Sequence, residues 1–226
     1  MAIPACLVFK MPLRGGKPLY VSFHSQEKPM KKCNPQMTGA LVLLAACLTA
    51  PVSAAVEDTV SVKTMADALH LVMDSDRTVY TRLIVNRLAA QEKVIKASEH
   101  FKDDKALVLP AQMFRFGAEM VAKRSEKLPD VNFSYSLQSM WPVNKQNAPK
   151  TQAEKEGLKY VADNKGENYY TTETLGGQKY FTAVYADTGV APVCVACHNA
   201  HPDSPRKDFK IGDVMGGVVI RIPLKS

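Results

Sequence analysis

Two cysteines three positions apart, followed at once by a histidine, are the residues of this chain best suited to chemistry: Cys194-Val195-Ala196-Cys197-His198. Two thiols at this spacing can reach the two vinyl groups on one edge of a haem and form thioethers. The adjacent imidazole then lies below the ring, where it can bind iron. The spacing therefore points to one covalently attached haem c, held by Cys194 and Cys197, with His198 as iron ligand. Three other uses of these residues stand beside it. A zinc site could draw on Cys194, Cys197, His198 and His201, although adjacent Cys and His seldom both face one tetrahedral ion. A redox-active pair would be expected to start a helix in a βαβ setting, which the surrounding pattern lacks, and a plain structural disulfide is the third.

Covalent haem attachment in bacteria takes place outside the cytoplasm, and the amino-terminal segment fits that compartment. From Met30 the chain has a positive pair, Lys31 and Lys32, then an apolar run over Ala40–Ala50 too short to span a bilayer, then small residues at Val52-Ser53-Ala54. That is the pattern of a secretory signal. The expected organisation is an extension plus signal over 1–54, with the true start at Met30, and one haem domain over 55–226. An uncleaved anchor is the alternative, opposed by Pro51. Leu44-Ala45-Ala46-Cys47 also resembles a lipoprotein box, so membrane association is expected only if Cys47 is lipidated. Removing the segment leaves two of the five cysteines, Cys194 and Cys197, and so no general disulfide framework.

The same cut resolves the charge. The chain carries +7, but residues 1–54 hold six basic residues and one acidic, leaving 23 against 21 in 55–226. A domain so balanced has no electrostatic footprint for nucleic acid. Its 46% apolar and 23% charged content is that of a globular protein.

The elements that must position the motif follow from periodicity. Residues 60–98 lack Gly and Pro, and Met65, Leu69, Val72, Met73, Val79, Tyr80, Leu83, Leu88 and Ile95 recur at helical spacing. This predicts one long helix, or two with a bend, with Asp67, Asp74, Arg77, Arg82 and Lys93 on a solvated face. A polar turn over 100–105 precedes a second helix from Pro110 to about Arg124. Val131, Phe133, Tyr135 and Leu137 alternate as a half-buried strand ending near Trp141. Residues 142–150 are a loop, and Thr151 with Glu154 caps a short helix to Ala162. Gly176-Gly177 opens a strand over 180–185, and 214–222 forms another, with the Cys/His motif between them. Helices first and strands later predict an α+β domain, long amino-terminal helices packed on an antiparallel sheet.

Several segments carry a resemblance. "CVACHNAH" followed by "GDVMGGVVIRIPL", with "LPAQMFR" and "SLQSMWPVNKQNAP" upstream, resembles a periplasmic c-type haem family long known only as a domain of unknown function. The resemblance covers about residues 65–224. It implies a PAS-like sheet with the haem on one side, in proteins that occur alone or ahead of histidine-kinase modules. It further implies electron transfer or a redox or gas-sensing role. Some members use a cysteine of the first long helix as sixth iron ligand; here no Cys lies between Ala55 and Val193.

The sixth ligand decides the chemistry, since His or Met closes the iron for electron transfer and an open position admits small gases. Met113 is the first candidate, because the family-like element places its segment near the cofactor. His70, His100, His201 and Tyr80 are others, and an open site is the further alternative. Arg115, Arg206 and Lys207 are candidate partners for the haem propionates. Trp141, Tyr135 and Phe181 are expected against the porphyrin, and Gly216-Gly217 either admits the ring closely or makes a bulge. Two roles remain: a carrier serving a periplasmic redox partner, or a sensor of NO, CO or O2 acting through a signalling protein. No kinase or DNA-binding segment follows to Ser226, so a sensor would act in trans. No acid/base pair over the iron is recognisable, so an enzyme has the least support.

Overall fold

A computed structural model of the chain describes residues 59–128 and 131–225. The leader features, from Met30 to Ala54 and including Cys47, lie outside the described residues.

Helix α1 spans Val62–Val79 and is started by Ser61, whose hydroxyl oxygen accepts the Thr64 N–H at 3.0 Å. With no Gly or Pro to stop it, the chain runs on as a wider π-helical segment over Tyr80–Gln91. The helix thus ends at Gln91, short of the expected 98, and Lys93 at φ 56 turns the chain away. The polar turn is closed by a two-residue parallel pair, β1 (Ala97–Ser98) with β2 (Leu107–Val108). Helix α2, Pro110–Ser125, begins with Pro where its missing N–H costs nothing.

Strands β3 (Ser134–Gln138), β4 (Tyr169–Leu175), β5 (Gln178–Thr188) and β6 (Val214–Pro223) form one antiparallel sheet in the order β3-β6-β5-β4. The sheet and its helices are of the expected α+β class. β4 was not expected from the sequence. Gly176 and Gly177, at φ 57 and 82, make the tight turn of a β4–β5 hairpin rather than only opening one strand. Helix α3, Gln152–Asp163, has the foreseen capping box: the Glu154 N–H donates to Thr151 Oγ1 at 3.2 Å, and the Thr151 N–H donates to Glu154 Oε2 at 2.8 Å.

Both sheet faces are covered. Ala183, Tyr185, Val218 and Ile220 meet Ala66 of α1 and Phe114 of α2 on one side; Val184 and Val219 meet Leu158 and Val161 of α3 on the other. Adjacent residues of β5 and β6 therefore serve opposite cores, as a period-two strand must. Each fully buried aliphatic side chain, Ile220 and Val219 among them, contributes about 1.5–3 kcal/mol. A charged network ties α3 to the sheet: Arg221 donates to Glu154 and Glu173, each at 2.7 Å, and Gln138 donates to Glu154 at 2.7 Å.

The predicted stripe of α1 is corrected by this packing. Leu69 and Met73 face the core, but Met65, Val72, Val79 and Leu83 are exposed. Arg77, expected on the solvated face, is largely buried. No described helix is long and apolar enough to cross a membrane.

Candidate haem-attachment site

The motif lies in the excursion between β5 and β6. The base of that excursion is closed by two backbone hydrogen bonds, Gly189 N–H to Asp213 O and Gly212 N–H to Gly189 O, both at 3.0 Å. Within it, Pro192–Ala200 forms helix α4, with Pro at its first turn. Periodicity assigns no element to this segment. The βαβ setting of a redox disulfide is nonetheless absent, because β5 and β6 pair antiparallel. A Cβ on Gly189 would stand 3.0 Å from Met215 Sδ and 3.1 Å from Val195 Cγ1, so this glycine is what lets α4 sit tightly on the strand ends.

On α4, Cys194, Cys197 and His198 fall at i, i+3 and i+4, so the two sulfurs and the imidazole share one helix face. Both thiols are unbridged. The His198 ring meets Phe209 edge-on, with centroids 6.1 Å apart. Its Nδ1 is buried with no hydrogen-bond partner. Burial pushes the His198 pKa down; Asp187 pulls it up, while Arg77 and His201 push it further down. The imidazole is thus held neutral with a lone pair available, which is the state a metal ligand needs. The residues present fit an iron ligand flanked by two thioether positions. Among the described residues no three His, Cys, Asp or Glu side chains converge on a metal-sized point, so Cys194, Cys197, His198 and His201 do not form a zinc tetrahedron.

The surroundings divide the other candidates. Arg206 lies with its guanidinium 4.4 Å from the Phe209 ring centroid and 4.9 Å from that of Trp141, and Trp141 packs edge-on to Phe209. Arg206 and Trp141 therefore join His198 through Phe209. Asn199 fixes Phe209 by donating to its carbonyl at 2.9 Å and accepting its N–H at 3.0 Å. Arg206 also donates to Asp208 at 2.7 Å and Asp213 at 3.4 Å. Arg115 sits instead on the solvent side of α2, 3.5 Å from Glu119 and over Phe116; Lys207 is exposed. Tyr135 packs on Phe114 and Phe181 on Tyr170, within the core under α1 and α2. A Cβ on Gly216 would stand 2.4 Å from the Gln138 carbonyl oxygen, and one on Gly217 2.7 Å from Leu158. These glycines admit neighbouring protein atoms, and the sheet register slips beside them, between Asp187 and Thr188.

Of the candidate sixth ligands, Met113 lies half-buried in the first turn of α2. His70 stacks parallel on Tyr185 with centroids 4.0 Å apart, and its Nε2 is buried without a partner. Burial pushes the His70 pKa down, against the pull of Asp74, Asp187 and Asp67. Tyr80 commits its hydroxyl to the Val108 carbonyl at 2.7 Å. His100 is exposed beside Glu99, and His201 accepts the Asp203 N–H at 3.2 Å.

Sequence reasoning missed Arg77 and Asp187. Their carboxylate and guanidinium form a fork, with side chains only 14% and 11% exposed, and both act electrostatically on His198. One signal was available: Asp187 interrupts the apolar run of β5, and Arg77 stands seven residues beyond His70 on the same helix face.

Residues 55–223 match the model of the Tll0287-like family. Among solved structures, the chain is similar to one described as the crystal structure of the cyanobacterial heme-protein Tll0287, at 13% identity, covering 73% of this chain and 97% of that one with a TM-score of 0.49. The curated proteins hold no match to the chain.

Proposed function

From the premise that the chain belongs to the Tll0287-like family, we propose that it is an exported monohaem c-type cytochrome of the bacterial periplasm, serving electron transfer to a redox partner. The observation that carries this reading is the shared α4 face of Cys194, Cys197 and His198, with His198 neutral and its Nδ1 unpartnered in a buried position. A bound haem would supply an iron able to gain and lose one electron. The two thiols would fix the cofactor edge, and His198 would hold the iron from one side. Arg206, already laid over Phe209, is the cation best placed to meet a propionate. We read the sheet, whose first long strand β3 pairs with its last, β6, as PAS-like. The leader accounts for export to the compartment where attachment occurs.

The test is made on protein recovered from the periplasm. Haem should survive denaturing electrophoresis and be lost from the Cys194→Ala/Cys197→Ala variant; a wild-type chain that releases its haem would overturn covalent attachment. Spectra of the reduced protein with and without CO then separate the two roles. A six-coordinate ferrous haem indifferent to CO is expected of a carrier. Ready CO binding would assign the protein instead to gas sensing through a partner.

A further inference from the structure

Helix α1 carries apolar residues on two faces, one of them turned away from the sheet. Two of its charged residues turn toward the sheet: Asp67 accepts from the hydroxyls of Tyr170 at 2.7 Å and Tyr185 at 2.8 Å, and Arg77 reaches Asp187. Ala66, Leu69 and Met73 face the core, but a second set of apolar side chains points outward. Met65, Leu71, Val72 and Val79 are 45, 68, 60 and 55% exposed, and Leu83 of the π-helical segment that continues α1 is 57% exposed. Met65, Val72 and Val79 recur every seven residues, and the small, exposed Ala68 and Ser75 fall between them. The side turned away from the sheet, where polar residues are expected, thus carries a stripe of apolar and small residues.

We propose that this stripe is the contact between two copies of the chain, α1 of one against α1 of the other about a two-fold axis. Three features select a second copy as the occupant. A seven-residue apolar repeat with small residues between is the pattern that packs helix on helix along a seam. Covering the stripe would take five exposed apolar side chains, Met65, Leu71, Val72, Val79 and Leu83, out of water together, as a contiguous interface patch does. The charges at its edge, Asp76 and Arg82, are opposite in sign, so the face carries no net charge and meets its own copy without repulsion. An anionic lipid surface would call for a cluster of basic residues instead. Arg82 Nε also donates to the Val190 carbonyl at 3.1 Å, so the contact lies one hydrogen bond from the segment that enters α4.

The protein recovered after export is weighed by light scattering from low to high micromolar concentration. The expected mass is that of two copies. Val72→Glu with Val79→Glu should halve it, leaving the far-ultraviolet and visible spectra unchanged. Val94→Glu, at an apolar position 67% exposed but off the stripe, should leave two copies. Should the double variant lose its fold, Ala68→Arg on the same stripe gives the same reading. A wild-type mass of one copy throughout would overturn the proposal. So would a dimer that survives the stripe variants, or a monomer that floats with neutral and anionic vesicles, which would give the stripe to a membrane.

Discussion

The guanidinium of Arg77 forks onto the carboxylate of Asp187, joining the end of α1 to the end of β5 just before the chain enters α4; Nη2 stands 3.0 Å from Oδ2, and Nη1 bonds Oδ1. The pair is largely buried, so its attraction acts against the cost of taking two charges out of water. Removing one partner leaves the other stranded. Asp187→Ala should therefore destabilise the fold by about 3–5 kcal/mol. Arg77→Ala with Asp187→Ala should cost much less than the sum of the two single changes. Urea denaturation of the four proteins as a mutant cycle gives the answer, and additive losses would show that the pair does not act as one unit.

Glu154 supplies the acid limb of stability. Burial pushes its pKa up, but hydrogen bonds from Gln138, the Thr151 and Lys150 N–H groups and Arg221 outweigh this and hold it below its ordinary 4.5. A carboxyl depressed in the folded state stabilises above its unfolded value and loses that contribution as pH falls. Stability should thus hold down to about pH 4.5 and decline below it toward the folded value. Glu154→Gln should be less stable at neutral pH and lose less on acidification. Denaturant midpoints taken across this range decide it: parallel acid limbs in both proteins would exclude Glu154 as the group responsible.

Much of this was legible in the sequence, for reasons that differ by element. Strands β5 and β6, helix α2 and the α3 cap are written in local signals: alternation, Pro at a first turn, Thr151 three before Glu154. The Cys/His spacing is likewise local. The orientation of α1 is not. Its apolar residues occur on two faces, and periodicity alone cannot say which face meets the sheet. Asp67 and Arg77 turn toward the sheet because Tyr170, Tyr185 and Asp187 await them from strands more than 100 residues away. Helix α4 was hidden because the motif is short and begins without a side-chain cap. The placement of Arg206 over Phe209 likewise depends on a loop fold that Asn199 holds, which no spacing encodes.

Gly216 tests the packing of β6 against β3. The Cβ of an alanine there would fall 2.4 Å from the Gln138 carbonyl oxygen, a backbone atom that cannot swing aside. Gly216→Ala should cost about 1–3 kcal/mol through forced backbone shifts, as overpacking does. Gly176, with open space around its Cβ position, is the contrast: its positive φ of 57 makes alanine unfavourable there through backbone conformation alone, so the loss should be nearer 1 kcal/mol. Thermal unfolding of both variants is the measurement, and an unperturbed Gly216→Ala midpoint would contradict the close approach of β6 to β3.

On the proposed haem reading, Met113 and His70 are the two side chains whose replacement would test the far side of the iron. Met113 is carried by the first turn of α2, and His70 is fixed on Tyr185 with a buried, unpartnered Nε2. If either closes the iron, its loss opens a coordination position without disturbing the thioethers or His198. Replacing the true ligand by alanine should change the ferrous spectrum toward five-coordination and confer CO binding. It should also lower the reduction potential if the ligand was methionine, because loss of a thioether removes stabilisation of the ferrous state. Replacing the other residue should leave the spectrum as it was. His70→Ala carries a structural effect of its own, since it removes the ring stacked on Tyr185, so its spectrum is compared at matched folded fraction. Unchanged spectra in both variants would eliminate both side chains and leave the iron open or held by another group.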